Sequence, residues 1–267
     1  MKYAVLLITV LFVHYAPAEI EIPRDDRVLS TYGSVSQQSE LDPNEINLLV
    51  WNMYKGINNS WKEDFQNLAK DKDILILQEG VLSIPMRMVF YLHTHMQFFF
   101  ATSFIEDWQP TGVVTSATVY ALDKKWQRSY YREPVIKTPK MTLFTKYGVQ
   151  NSQQEVLVGN IHGVNFVKEY KLRHMLVEAA KEISKHSGPV IFGGDFNTWT
   201  KTKLATMNGI FKKLGMKAVK FTKDNRKRFR GNILDHVWVR GFKVLSSSVP
   251  LTSGSDHNPM LVKLAID

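Results

Sequence analysis

The chain has 267 residues and carries 34 Lys and Arg against 25 Asp and Glu, a net charge of +9. It contains no cysteine, which excludes disulfides and thiolate chemistry, so the fold must stand on its core. The length suits one large domain or two small ones. The positive excess favours a polyanionic partner (nucleic acid, a phosphorylated small molecule or an anionic membrane surface) without choosing among them.

Met1 to Ala18 reads as a signal peptide. Lys2 supplies a positive n-region, Ala4 to Val13 a short apolar run, and Ala16-Pro17-Ala18 a small-x-small cleavage pattern before Glu19. The run is too short to span a bilayer. No later segment resembles a transmembrane span. The mature chain is therefore expected to be exported, periplasmic or secreted. Loss of Lys2 leaves 33 basic against 25 acidic residues, a mature charge of +8.

Glu19 to Glu45 is polar and holds Pro23, Gly33 and Pro43, the pattern of a tail or linker. A single domain is expected from Ile46 to Asp267. Ile46 to Asn52 is a buried strand. Ser60 with Glu63 makes a capping-box pattern, and Trp61, Phe65 and Leu68 follow at helical spacing. Asp73 to Leu77 is a second buried strand, running into Gln78-Glu79-Gly80. Leu82 to Met96 predicts a helix with Pro85 near its start. Phe98 to Ala101, Gly112 to Leu122 and Thr138 to Lys146 predict strands.

Glu155 to His162 predicts a strand ending in polar groups. Val167 to His186 predicts a long helix with Leu172, Met175, Leu176, Ala179, Ala180 and Ile183 on one face, closed by Gly188 and Pro189. Val190 to Phe192 is the next buried strand, followed by Gly193-Gly194-Asp195-Phe196-Asn197. Asp195 and Asn197 stand at i and i+2, on one side of an extended segment. Taken alone they suit either a site beyond a strand end or an Asx turn capping the next helix. A helix around Lys203 to Leu214 and strands over Leu234 to Arg240, Phe242 to Val249 and Pro259 to Ile266 complete the chain. Two β-α-β passages with several directly joined strands predict an α/β domain of two packed sheets flanked by helices.

Polar groups recur at strand ends: Asn52, Glu79, His162, Asp195 with Asn197, and Asp256 with His257. Asp235 begins another strand. Acids, amides and histidines without cysteine form a hard ligand set for Mg²⁺ or Mn²⁺. Histidines with carboxylate partners can serve as general base and acid. Together they suit metal-assisted hydrolysis of a phosphoester.

The pieces Trp51-Asn52, Gln78-Glu79, Asn160-Ile161-His162, Gly194-Asp195-Phe196-Asn197, Leu234-Asp235-His236 and Ser255-Asp256-His257-Asn258-Pro259 occur in the order of a known family. In them the chain resembles the endonuclease/exonuclease/phosphatase (DNase I-like) superfamily, from about Ile46 to the C-terminus. Trp51 to Lys55, Thr138-Pro139-Lys140 and Asn160 to Phe166 further resemble a small exported bacterial branch of it. The resemblance implies a four-layer α/β/β/α sandwich of two packed mixed sheets flanked by helices, with the site at one edge.

It also implies roles. Glu79 would be the principal metal ligand, with Asn52 beside it and Asp256 completing the metal site or the hydrogen-bond network. His257 would be the base, oriented by Asp235. His162 would act as acid or oxyanion donor at the scissile phosphate. Asp195 and Asn197 would contact the phosphate and the nucleophilic water, or a second metal, and Asn160 would share that face. One departure is visible: the strand expected to carry an acid for His162 begins Thr111-Gly112-Val113, and the nearest acids are Glu106 and Asp107. His236 is expected to point away from the site.

Lys223 to Arg230 is the sharpest basic cluster. Arg226, Lys227 and Arg228 are expected to track a phosphate backbone, with Phe221 or Phe229 stacking on a base and Lys140 and Lys146 adding charge. The leading expectation is an exported Mg²⁺- or Mn²⁺-dependent phosphodiester hydrolase acting on DNA, monomeric and without a stable protein partner. The second is a phosphatase or phospholipase C-type enzyme acting on inositol phosphates or sphingomyelin. Phe98-Phe99-Phe100 is the candidate membrane-touching hairpin for that reading. The third is a non-catalytic polyanion-binding module, which predicts a broken site.

Overall fold

The computed structural model describes residues 19–35, 40–93 and 95–267. The expected signal peptide, Met1 to Ala18, lies outside the described residues. The chain runs β1 (Ile20–Glu21), β2 (Leu29–Gly33), β3 (Ile46–Asn52), α1 (Trp61–Ala69), β4 (Ile74–Val81) and α2 (Ile84–Leu92). It continues β5 (Gln97–Glu106), β6 (Gln109–Ala117), β7 (Ala121–Arg128), β8 (Met141–Gly148), β9 (Glu155–His162) and α3 (Glu169–Ser184). Then come β10 (Val190–Asp195), α4 (Lys201–Lys213), β11 (Lys217–Ala218), β12 (Arg228–Phe229), β13 (Asn232–Ile233), β14 (Asp235–Arg240), β15 (Phe242–Ser248) and β16 (Met260–Ile266).

One sheet has the order β1-β5-β6-β4-β3-β16-β15, with β2 also on β5; the other runs β11-β14-β10-β9-β8-β7. Both sheets are mixed: β3 pairs parallel with β4 across α1, and β9 parallel with β10 across α3, among antiparallel neighbours. Strand alternation builds the layers. Leu48, Val50, Ile74 and Ile76 meet Val158, Ile191 and Val237 between the sheets. The intervening Leu49, Trp51, Leu75 and Leu77 pack on Trp61, Phe65, Met86 and Phe90 of α1 and α2. Opposite, Leu157, Phe192 and Trp238 lie under Leu172, Leu176, Met207 and Phe211 of α3 and α4. The result is the four-layer α/β/β/α sandwich. Each fully buried large apolar side chain contributes about 1.5–3 kcal/mol.

Several sequence expectations change. Glu19 to Glu45 is not only a linker: β1 and β2 both add to β5, and Val28 is fully buried. Short polar strands carry too little apolar alternation to be seen locally. Gly112 to Leu122 is not one strand. It divides into β6 and β7, which belong to different sheets, and Val119 is buried where the chain crosses between them. The capping box at Ser60 does not form. Ser60 is itself helical in φ and ψ and accepts no cap bond, and its hydroxyl meets Asp64 at 3.0 Å and Ser253 at 2.8 Å. Phe98, Phe99 and Phe100 are fully buried in β5, so they present no hairpin to a membrane. Among the described residues no helix is long and apolar enough to cross one.

Candidate active site

Register brings the site together. In the second sheet His162 of β9 pairs with Asp195 of β10, and Asp195 with Asp235 of β14, so the three stand in one row at the strand ends. Gly194 makes this possible: it lies at φ +142°, and a Cβ there would collide with the Ile161 carbonyl oxygen. In the first sheet Asn52 pairs with Gln78, one residue before Glu79. Glu79 sits at φ +52° where the β4–β6 register shifts, a bulge that turns its side chain toward the same edge. His257 arrives on the loop before β16. Trp51 Nε1 donates to its carbonyl at 2.8 Å, Ser255 Oγ donates to the Asn52 carbonyl at 2.6 Å, and the His257 N–H donates to Ser255 Oγ at 3.0 Å.

His257 and Asp235 form a dyad, with Nδ1 2.8 Å from Asp235 Oδ2 and 3.0 Å from Oδ1. Nδ1 is thus the donor and Nε2 is left for the substrate side. Burial alone would lower the His257 pKa. The charges of Asp235, Asp195 and Asp256 and the Asp235 hydrogen bond outweigh it and push the ring up to about 10. Asp195 is driven the other way for a carboxylate: burial first, then the Asp235 charge, raise it to about 7.

Asn52 Nδ2 donates to Asp195 Oδ2 at 3.1 Å and Glu79 Oε1 at 3.3 Å, while its Oδ1 accepts the Tyr54 N–H at 3.0 Å. In this arrangement Asn52 orients two carboxylates. His162 Nε2 lies 3.8 Å from Glu79 and 3.7 Å from Asp195, beyond hydrogen-bonding distance. Among the described residues it has no carboxylate at hydrogen-bonding distance, and Glu106 pairs with Lys55 at 2.8 Å. Burial first, then Lys140 and His257, keep its pKa well below the ordinary value, so the ring is neutral.

The chemistry of the donors fits a divalent cation. Ligand atoms of Asp195, Asp235 and His257 lie within 4.8 Å of one another. Asp235 is committed to the imidazole, which leaves Asp195 and Glu79, oriented by Asn52, as the oxygen donors. Two carboxylates converge on one amide, and burial first, then the Asp235 charge, raise one of them to about 7. A hard cation relieves that charge.

Asp195 and Asn197 are both near-fully buried, and the Asx turn is also present: the Asn197 N–H donates to Asp195 Oδ1 at 2.9 Å. Asn197 sits at φ +53° and its Nδ2 donates to the Gly163 carbonyl at 2.9 Å, tying the ends of β9 and β10. A cavity of about 420 Å³ opens over Glu79, His162, Asp195, Asn197 and His257.

The remaining expected site residues divide between the cavity and the structure around it. Asn160 does not line the cavity. It is fully buried between the sheets, donating to the Leu77 and Val114 carbonyls at 3.0 and 2.8 Å and accepting from Gln78 at 2.8 Å. Position i−2 from His162 shares its face, but that face there is the inter-sheet core. Asp256 turns outward between Ser255 and His257. It pairs with Lys227 at 3.0 Å, lies 3.9 Å from His257 Nε2 and lines the same cavity as Glu79. Arg226 is a brace: Asp224 holds it with two bonds of 2.7 Å, and it donates to the Asp235 carbonyl at 3.1 Å. Lys227 lines the cavity, and Arg228 is exposed.

Lys146 pairs with Glu155 at the far end of the sheet, outside the basic surface. His236 is structural as expected, within 2.8 Å of Thr198 Oγ1, and burial and then Arg226 push its pKa down to about 3.

Sequence reasoning missed Glu133, the partner of Lys140. They form a near-buried ion pair of 3.3 Å lining the cavity beside His162. Lys140 was marked by its Thr138-Pro139-Lys140 context. Glu133 comes from irregular chain and carried no local signal.

Comparison with known proteins agrees with this architecture. The pattern described as "Endonuclease/Exonuclease/phosphatase family" matches residues 49–257. A UPF0294 protein of Vibrio campbellii is 32% identical over 227 residues, covering 84% of this chain and 78% of that protein. An endonuclease/exonuclease/phosphatase from Bacteroides vulgatus superposes with a TM-score of 0.67 at 16% identity, covering 84% of this chain and 100% of the other. ANGEL2, a 2′,3′-cyclic phosphatase solved with adenosine-2′,3′-vanadate, superposes with a TM-score of 0.59 at 13% identity, covering 87% and 99%. The match over residues 49–257, on a sandwich whose sheets meet at this cavity, shows that the chain belongs to the endonuclease/exonuclease/phosphatase family.

Proposed function

We propose that the chain is an exported, divalent-metal-dependent phosphodiesterase that cuts nucleic acid, DNA foremost. The observation that carries this is the Asp235–His257 dyad at 2.8 Å beside Glu79, Asp195 and His162 at one cavity. Glu79 and Asp195 would hold Mg²⁺ or Mn²⁺, which neutralises phosphate charge and makes bound water more acidic. His257 Nε2 takes the proton of the attacking water, while Asp235 fixes the ring and stabilises the imidazolium. Asp235 and then Asp195 are the charges that raise the His257 pKa, so a cation held by Asp195 would lower it toward the range of a base. His162, neutral and unpaired with any acid, serves as a hydrogen-bond donor to the phosphate oxygen.

The net charge of +9 supports a polyanionic substrate. The ANGEL2 complex supports a nucleoside-bearing ligand on this fold. Burial of Phe98 to Phe100 speaks against the membrane-acting alternative. The test uses the protein without residues 1–18 and its His257→Ala form, with Mg²⁺, Mn²⁺ or EDTA. Plasmid DNA, RNA, sphingomyelin and inositol phosphates are the substrates. Metal-dependent, His257-dependent cleavage of nucleic acid is expected. Cleavage of another phosphoester with nucleic acid untouched overturns the nuclease reading.

A further inference from the structure

The basic loop is largely spent on its own neighbours. Asp224 holds Arg226 and also lies 3.4 Å from Arg228, and Asp256 holds Lys227 at 3.0 Å. What faces the cavity next to the catalytic floor is aromatic: Phe166, Trp199 and Phe229 line one wall. Phe229 stands edge-on to both others, at 89° and 6.4 Å from Phe166 and at 88° and 5.9 Å from Trp199.

These rings are held in place. Asn165 Oδ1 accepts the Phe166 N–H at 2.8 Å and the Trp199 indole N–H at 3.0 Å, so one amide joins two rings. Lys203 Nζ lies 4.1 Å from the Trp199 ring centre, and the Arg230 guanidinium lies 5.8 Å from Trp199 and 5.6 Å from Phe229. Phe166 sits at φ +51°, a conformation bulky residues rarely adopt, and is 61% exposed. A strained backbone that holds a large apolar ring in water does nothing for the core. Strain of this kind concentrates at ligand clamps.

Exposed rings at Phe166 and Phe229, with Trp199 behind them, beside an anion-handling floor suit a ligand that is planar and charged. An acyl chain gains nothing from Arg230, whereas a nucleobase offers a π-face to the rings and to the guanidinium. A base inside a duplex has no free face to offer. We infer that Phe166, Trp199 and Phe229 form a base-stacking clamp. The site therefore takes an unpaired nucleotide beside the scissile phosphate and prefers single-stranded or frayed nucleic acid to intact duplex. The inference rests on the phosphodiesterase reading for what the floor does, but binding tests it without turnover.

The experiment measures fluorescence anisotropy in the His257→Ala background with Mg²⁺. The probes are a labelled thymidine tetranucleotide, its abasic counterpart with the same phosphates, and a blunt duplex. Sphingomyelin vesicles compete. The tetranucleotide is expected to bind about 10-fold or more tighter than the abasic chain. Adding Phe166→Ala with Phe229→Ala should reduce that ratio to about twofold or less, leaving abasic affinity in place; Phe166→Tyr with Phe229→Tyr should keep it. Melting curves confirm that each variant is folded. Equal affinity for the two chains, an equal loss for both in the double Ala variant, or ring-dependent capture of vesicles in place of the oligonucleotide overturns the clamp. Cleavage by the wild-type protein reports separately. Turnover without base preference refutes the clamp alone, and base preference without any turnover refutes the phosphodiesterase reading alone.

Discussion

The floor of the cavity comes from strand ends in register with His257 from the loop before β16, while its walls come from irregular chain around Glu133–Lys140, Asn165–Phe166 and Trp199 and from the short hairpin strand that carries Phe229. His162, Asp195, Asp235 and His257 on the floor are 2–7% exposed and polar. On the wall, Val135 is 85% and Phe166 61% exposed, and both are apolar. Strand register holds several groups at once, so displacing one displaces the row. A loop can change without disturbing its neighbours. Chemistry accordingly sits where the geometry is shared, and choice of substrate where it is free.

The largest test of this division is His257→Ala. It should lower kcat by about 10²–10⁴-fold with little change in KM, measured by steady-state hydrolysis. A change confined to KM would erase the distinction between floor and wall. Next is the metal arm. Mg²⁺ or Mn²⁺ at about 100 times its Kd should stabilise the wild-type protein by about 2.7 kcal/mol, read as a rise in melting temperature. Glu79→Gln should remove that rise, and a retained rise would place the ion elsewhere.

Asn160→Leu sharpens the boundary beneath the floor. Leaving the Leu77 and Val114 carbonyls without their donor should cost about 2–3 kcal/mol in urea unfolding, with KM unchanged in the folded protein. Unaltered stability with a raised KM would return Asn160 to substrate contact. His236 gives a pH signature of similar size. Its folded pKa is pushed down to about 3, so the folded state keeps the ring neutral while the unfolded chain protonates below about 6.5. Its contribution is therefore complete above about pH 6.5 and is lost at about 1.4 kcal/mol per pH unit as pH falls toward 3. His236→Gln should flatten stability against pH in that window, and an unchanged slope assigns acid sensitivity to other groups. The smallest effect is expected at the wall's outer edge: Arg228→Ala, an exposed side chain, should change unfolding free energy by less than about 0.5 kcal/mol.

Much of this protein was determined by the sequence alone. Apolar runs flanked by turn residues marked β3, β4, β9, β10 and β14, and helical spacing marked α1, α3 and α4, because those periods are local. Polar residues closing the strands marked Glu79, His162, Asp195, Asp235 and His257, and all five meet at the cavity or its dyad. Tertiary structure decided which other polar residues join them. Asn160 and His162 differ by two positions, yet one is roofed by the opposite sheet and the other opens to the cavity. Asp256 and Arg226 carry the right charges but are spent on Lys227 and Asp224. Glu133, Lys140 and the Asn165-bridged rings meet the floor only through the folding of loops distant in sequence. Periodicity shows which face a side chain takes on its own element. What stands opposite that face depends on contacts between residues dozens of positions apart, and no local pattern carries them.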